Sequence, residues 1–505
     1  MSDTYLRLES LSNELFYLIF AYSSSGDIIY SFSSLNYRFD AFIYPYKCII
    51  DLSRTAAYIR NSVLPQIHDT VEELKFDGRQ LSHIIPSPTI TTTVRDICRN
   101  LTSLSVINVE KNSHYLPYLT LFKQLIVLKL YFINQAYISK KKLDIISSTI
   151  FSSNSIVETL FIEGLTFCID KRKITPCHSL KHLTIDVLYQ DDMFILLSQL
   201  PSVEYLKIFI RDGTAADDYY DYENTYPILL HLKEFILSSK HTICYDQIEP
   251  LLLHCPSLNN LSLNLNLDQY VSAKKLEKLI KIPKLDFHLR MPEMSAKKID
   301  KYVNTFKTPA WLNHPVIFYS FLINFCLRSL PFKEHYLHVS NQIIEYLSNI
   351  SDILLYKEQH KTKIIWLHDM LLKYELIQFI KINFPKLREL SLMACHFDES
   401  LMDDINFKME SVRHVFMRRY NLDFKYFKKL LLMMPNIKEL RAKSGVLLSA
   451  ADQFIEDQEL RPICEQIEKI IIDEYKEALD RNIDNEMKRV FPNAFVDKTK
   501  TGQSH

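Results

Sequence analysis

Apolar residues along most of this chain keep one of two rhythms. In FPKLRELSLMACHF, residues 384 to 397, Leu387, Leu390 and Leu392 lie at relative positions 0, +3 and +5, with Cys395 at +8 and Phe397 at +10. Positions +3 and +5 are two apart, the side-chain period of a strand. Aligned on the first apolar position, the spacing recurs from Val71, Leu101, Leu125, Val157, Leu180, Val203, Leu232, Leu258 and Leu285, and again from Leu387, Val412, Ile437 and Ile467. Between these runs the period becomes helical, as in Met193, Leu196, Leu197 and Leu200; Ile248, Leu251, Leu252 and Cys255; and Phe427, Leu430, Leu431 and Met434. Pro201, Pro256, Pro283, Pro385 and Pro435 each stand two residues before an aligned position. A proline cannot continue a helix and biases the residue before it to extended geometry, so each marks a helix stop followed by a strand start.

The run at Leu387 matches LxxLxLxx(N/C)x(L/F), and the units are roughly 23 to 32 residues long, so the chain resembles leucine-rich-repeat proteins. The resemblance implies an α/β solenoid with a parallel concave sheet and convex helices. A first block of repeats is expected over 51–292 and a second, with a C-terminal cap, over 387–490. Residues 293–386 break the rhythm and read as irregular repeats or an inserted element; 491–505 read as a disordered tail. The charged stretch from Ile467 to Phe491 reads as helical and as the polar cap.

Residues 1–50 have a different pattern. Ser12 or Asn13 is suited to cap a helix in which Leu15, Leu18, Ile19 and Tyr22 fall at i, i+3, i+4 and i+7; Asp27 is suited to cap a second helix carrying Ile28, Ile29 and Phe32. Leu11, Glu14, Leu15, Ile19, Phe20 and Tyr22, with Leu35-Asn36 and Arg38-Phe39, resemble an F-box, while Ser12 and Ser23 depart from its Pro and Leu. The order of F-box then repeats resembles invertebrate F-box and leucine-rich-repeat proteins. It implies docking on the SKP-family adaptor of a cullin-RING ubiquitin ligase through Leu11, Leu15, Ile19 and Phe20, and recognition of a protein substrate by the repeats. The alternative is a repeat scaffold with no ligase role, its first helices serving as a cap.

Composition narrows the classes. Hydrophobic residues make up 47% of the 505, enough for a continuous core. Lys plus Arg and Asp plus Glu both number 60, so no global field draws in nucleic acid or an anionic membrane. The nine Cys form no CxxC pair, which fits a reducing compartment, and residues 1–10 lack a signal peptide's basic start and apolar core. The expected location is cytoplasmic or nuclear. The six Gly are too scattered for a Walker A loop, a GxGxxG fingerprint or a GxSxG elbow.

The residues between the repeat leucines are expected to face outward. They include Lys129, Tyr131, Phe161, Glu163, His182, Asp186, Tyr205, Lys207 and Phe209 in the first block, and His414, Phe416, Arg418, Arg441 and Lys443 in the second. Tyr131, Phe161, Tyr205, Lys207, Phe209, Phe416 and Arg418 are the candidate partner contacts, aromatic and basic as protein-recognition surfaces are. The loop 211–227, rich in Asp and Tyr, is a second candidate for a basic partner. Phe416, Arg418, Arg441 and Lys443 also form a basic-aromatic patch that raises RNA, a weaker reading for a chain of balanced charge. Cys177, His178 and His182, or His335 and His338, have only superficial metal-ligand spacing, and Asp403-Asp404 read as helix-start acids. No catalytic set carries a local signature, so neither enzyme activity, metal nor cofactor is expected.

Overall fold

The structure is a computed structural model. It describes residues 11–53, 70–79, 100–110, 124–136, 153–169, 174–213, 228–311, 324–329, 362–368, 371–399, 407–418, 423–475 and 483–500, with shorter stretches between them that include 316–321 and 336–340. The chain is a mixed α/β protein of two compact units, Met1–Asp268 with Ile282–Lys284, and Gln269–Lys281 with Leu285–His505.

The first unit begins with α1 (Asn13–Ala21), α2 (Ser25–Phe32) and α3 (Tyr37–Cys48). These helices have a core of their own: Phe16, Phe20, Ile28, Phe39 and Ile43, flanked by Leu11, Phe32, Phe42 and Tyr46. Ser24, not Asp27, caps α2; its hydroxyl accepts from the Asp27 N–H at 3.1 Å and donates to the Asp27 carboxylate at 2.7 Å. Arg38 ties α3 to the start of α1 by donating to the Leu11 carbonyl at 2.7 Å and the Asn13 side chain at 2.6 Å.

A large parallel sheet follows, in sequence order: β1 (Ile49–Asp51), β2 (Glu73–Asp77), β3 (Ser103–Val109), β4 (Val127–Ala136), β5 (Thr159–Phe167), β6 (His182–Val187), β7 (Tyr205–Ile210), β8 (Glu234–Ile243) and β9 (Asn260–Leu267). The pairing puts the +3 residues on one buried row, Leu74, Leu104, Leu128, Leu160, Leu183, Leu206, Phe235 and Leu261; the +5 residues from Phe76 to Leu263 form a second. Burying such a side chain contributes roughly 1.5–3 kcal/mol, and neighbouring rungs share the gain. Helices α4 (Gln190–Leu197) and α5 (Tyr245–Leu253) end ahead of Pro201 and Pro256.

Strand ends repeat a backbone detail. Asn108 (φ 55°), Gly164 (φ 81°) and, in the second unit, Ala394 (φ 53°) are left-handed, and all three stand at +7 of their aligned runs. The bend sends the following residue inward: Val109, Leu165 and Cys395, at +8, are buried. The Cys395 thiol donates to the Leu367 carbonyl at 3.4 Å, satisfying a buried backbone group of a neighbouring strand.

Asp192, in the first turn of α4, is 4% exposed and accepts from the Ile169 N–H at 2.6 Å and the Tyr189 N–H at 2.9 Å. Burial outweighs these two donors and pushes its carboxyl up to about 6. The folded state therefore holds this proton more tightly than the unfolded chain, whose aspartates titrate near 4. The sign follows: Asp192 lowers stability as pH rises from about 4 to about 6, by roughly 2–3 kcal/mol in total, and adds no further slope above that. Between those pH values the stability difference between wild type and Asp192→Asn, read from urea midpoints, is expected to move in favour of the variant. A pH-independent difference would refute the assignment.

The second unit contains α6 (Ala273–Glu277), β10 (Lys284–Pro292, its first residue in the first unit), α7 (Ala296–Asn304), and β11 (Val316–Phe321), which pairs antiparallel with β12 (Asn324–Ser329). β12 is also antiparallel to β10. The alignment at Leu285 does not hold: Leu285 is half-buried, and Phe287, Leu289 and Met291 point inward, one residue out of step with the +3 and +5 positions. A second, parallel sheet runs in the order β13 (Tyr336–Ser340), β14 (Ile364–His368), β16 (Glu389–Met393), β18 (His414–Arg418), β19 (Glu439–Lys443), β20 (Lys469–Tyr475) and β21 (Phe495–Lys500). A small pair, β15 (Leu371–Leu372) and β17 (His396–Phe397), lies beside it in sequence. The irregular segment is thus an antiparallel element followed by strands that begin a second parallel ladder.

Helices α8 (Tyr374–Asn383) and α9 (Phe424–Met433) end ahead of Pro385 and Pro435; α10 (Ser444–Glu456), α11 (Arg461–Gln466) and α12 (Ile483–Val490) follow. Two expectations fail at the C-terminal end. Lys469–Tyr475 is strand rather than helix, in line with the run aligned on Ile467: Ile470 and Ile472, at +3 and +5, alternate inward against Leu440 and Ala442. Phe495–Lys500, expected to be disordered, pairs with β20.

Candidate functional site

The outward rows of the first sheet are fixed by the same register. Lys129, Phe161, Thr184 and Lys207 are consecutive neighbours on β4 to β7; His182 neighbours Tyr205, and Asp186 neighbours Phe209. The Tyr131 and Phe161 rings meet at 5.0 Å, tilted by 40°, and the His182 and Tyr205 rings lie 6.3 Å apart. Tyr131, Phe161 and Tyr205 are half-buried, so each keeps a face available to a partner while packing on its neighbour. Arg211 was not foreseen. It donates to Asp186 at 2.5 and 3.0 Å and lies 4.3 Å over the Phe209 ring, fixing that ring from above. Asp186 to Arg211 spans the +6 position of one unit and the +8 position of the next, a cross-strand ion-pair spacing visible in the sequence.

Asp186 is 8% exposed, and burial raises its carboxyl above the ordinary range, the nearby Glu163 pushing the same way; Arg211 and Lys207 act against them. Burial also raises the Tyr205 hydroxyl. Three acids of this unit are each matched by a lysine one strand further on: Asp51 with Lys75, Glu158 with Lys181, Glu204 with Lys233. Compensation of this kind suits a surface that reads shape and single contacts rather than a polyanion. The loop 214–227 lies outside the described residues.

On the helical part, Leu15 (46% exposed), Leu18 (58%), Ile19 (40%) and Tyr22 (92%) form one open face of α1, joined by Tyr17 (54%). Leu11 is half-buried against the helical core. Phe20 is 2% exposed, so it is a core residue and not available as a surface contact. Phe16 and Phe20, four apart, bury one side of α1, which leaves the Leu15 and Ile19 side outward.

In the second unit Trp366, Ser391, Phe416 and Arg441 are neighbours on β14 to β19, with Trp366 Nε1 donating to Glu389 at 3.2 Å. Trp366 was missed, although it stands between the inward Ile365 and Leu367. Arg441 is held by Asp473 through three contacts of 2.7–2.9 Å, so its charge is matched within the sheet, and His414 lies 3.4 Å from Glu439. The Arg418 side chain, the His338 side chain, His335 and Asp403-Asp404 lie outside the described residues. Cys177 is buried, its thiol turned to the Ile150 carbonyl and Ser179, while His182 is exposed beside Thr159. Among the described residues no group of His, Cys, Asp and Glu is placed to hold a metal ion, and no helix is long and apolar enough to cross a membrane. No protein-family model matches the chain, and no curated protein matches it.

Proposed function

We propose that this chain is a substrate-recognition adaptor of a cullin-RING ubiquitin ligase: an F-box-type helical segment that docks on an SKP-family adaptor, followed by leucine-rich repeats whose strand face takes a protein substrate. On this reading the chain performs no chemistry; it positions a substrate near a ubiquitin-charged enzyme in the cytoplasm or nucleus.

The observation that carries the reading is the open apolar face of α1. Exposed Leu15, Tyr17, Leu18, Ile19 and Tyr22 are more contiguous apolar surface than a nine-residue helix leaves to water without reason. The helical core beneath it is complete without them, so folding does not explain their identity. The parallel strands, proline-stopped helices and aromatic strand face support the repeat half.

Capture of the SKP-family adaptor by the full chain, compared with a Leu15→Asp, Ile19→Asp variant, tests it. Both positions are exposed, so the variant is expected to fold normally and to lose at least ten-fold in adaptor affinity, as a charge on a buried apolar contact does. Equal capture by the two would reduce the chain to a repeat scaffold with a helical cap.

A further inference from the structure

Among the described residues, the outward row Lys129, Phe161, Thr184 and Lys207 differs from the rest of its sheet. Three lysines on or just before these strands are paired, Lys75 with Asp51, Lys181 with Glu158 and Lys233 with Glu204, while Lys240, also without an ion pair, lies four residues beyond this row on β8. Lys129 and Lys207 make no ion pair; the carboxylate nearest Lys207 in effect, Asp186, is already taken by Arg211. The two free ammonium groups stand on strands three apart, so their backbones are about 14 Å from each other. Between them lie Phe161, its ring 5.0 Å from that of Tyr131, and the short Thr184, whose side chain hydrogen-bonds the Tyr205 side chain. The row is a basic, apolar, basic sequence with a low step at its middle.

We propose that this row binds an extended acidic segment of a partner protein, with carboxylates four residues apart on the two lysines and an apolar side chain between them over Phe161 and Thr184. An extended chain rises about 3.3 Å per residue, so four residues match the lysine separation. Carboxylate is favoured over phosphate because phosphate recognition draws on the forked guanidinium, and both arginines described on this face, Arg79 and Arg211, are already bound by Asp77 and Asp186. Glu163 and Glu234 flank the row on its two sides and are unpaired as well; they disfavour acids off the row and so confine the segment to it. This deepens the reading of the strand face as the substrate surface and rests on it.

The probe is a fluorescein-labelled, otherwise neutral peptide with two glutamates four residues apart and a leucine between them; its control carries lysines in place of the glutamates. Anisotropy with the full chain is expected to show preference for the glutamate peptide, weakening as salt rises. Lys129→Glu, Lys207→Glu is expected to reverse the preference by about ten-fold in each direction, and Lys129→Gln, Lys207→Gln to abolish it, so a poorly folded reversal variant still leaves a reading. Equal binding of both peptides by wild type, or tighter binding of a phosphoserine version, overturns the proposal. The lysine variants are expected to capture the SKP-family adaptor normally, and the Leu15→Asp, Ile19→Asp variant to bind the peptide normally, so failure of one surface is separable from failure of the other.

Discussion

Phe16→Ala is expected to destabilise the N-terminal helices by about 3–5 kcal/mol, the usual cost of emptying a buried phenylalanine site. Phe16 is fully buried and its ring meets Phe20 at 6.1 Å, Phe32 at 6.2 Å, Phe39 at 4.9 Å and Phe42 at 6.1 Å. A core of five buried side chains has little means of closing the void. Limited proteolysis is expected to cut the variant between residues 13 and 48 while leaving the strands protected, and adaptor capture is expected to disappear with the fold. The contrast with Leu15→Asp, Ile19→Asp is diagnostic: the same lost capture there comes with intact helices. Retained protease resistance in Phe16→Ala would mean that the helices are held by something other than this aromatic cluster.

Gly164→Ala is expected to cost about 2–3 kcal/mol, from two sources that add. At φ 81° any L side chain is strained, and a Cβ there would stand 2.7 Å from the Phe132 carbonyl oxygen. Ala394, at the same repeat position with φ 53°, shows that the left-handed bend alone is tolerated, at roughly 1–2 kcal/mol. The remainder at Gly164 therefore belongs to the close approach of β4 to β5. Urea unfolding would measure the sum, and a loss no larger than the bend alone would mean that β4 moves aside cheaply.

The rows from Leu74 to Leu261 were legible in the +3 and +5 spacing, and at Leu206 and Leu261 the sequence states the strand a second time, through Pro201 and Pro256 ahead of it. The antiparallel element was not legible. β11 and β12 are apolar runs bounded by weak turn signals, and an apolar run does not declare the direction of its neighbour. The slip at Leu285 has the same origin: leucine there satisfied the pattern, while the strand that pairs with β12 required Phe287, Leu289 and Met291 inside. At the C-terminal end, Lys469–Tyr475 carries enough charge to look helical, although the alignment on Ile467 puts Ile470 and Ile472 at +3 and +5, where they face Leu440 and Ala442. For α1 the periodicity identified both Leu15 and Ile19 as one face but could not say whether that face was core or surface. Phe16 and Phe20 decide it, being larger and placed against Phe32 and Phe39, and Phe20 moves to the core as a result. Arg211 escaped because its role depends on Asp186 one strand away.

In each parallel ladder the strand next in sequence is the strand next in space, and this bears on how the chain acquires its structure. Partner residues such as Leu183 and Leu206 are separated by a single strand-to-strand excursion, so the loop to be closed at each step is short and nearly constant. Low contact order of this kind favours fast growth from a nucleus, adding one strand at a time to an existing edge. The antiparallel pair β11 and β12, where Phe321 meets Asn324, closes the shortest loop of all and is the natural starting point in its unit. A chain emerging from the ribosome could then fix its N-terminal strands before the later ones exist.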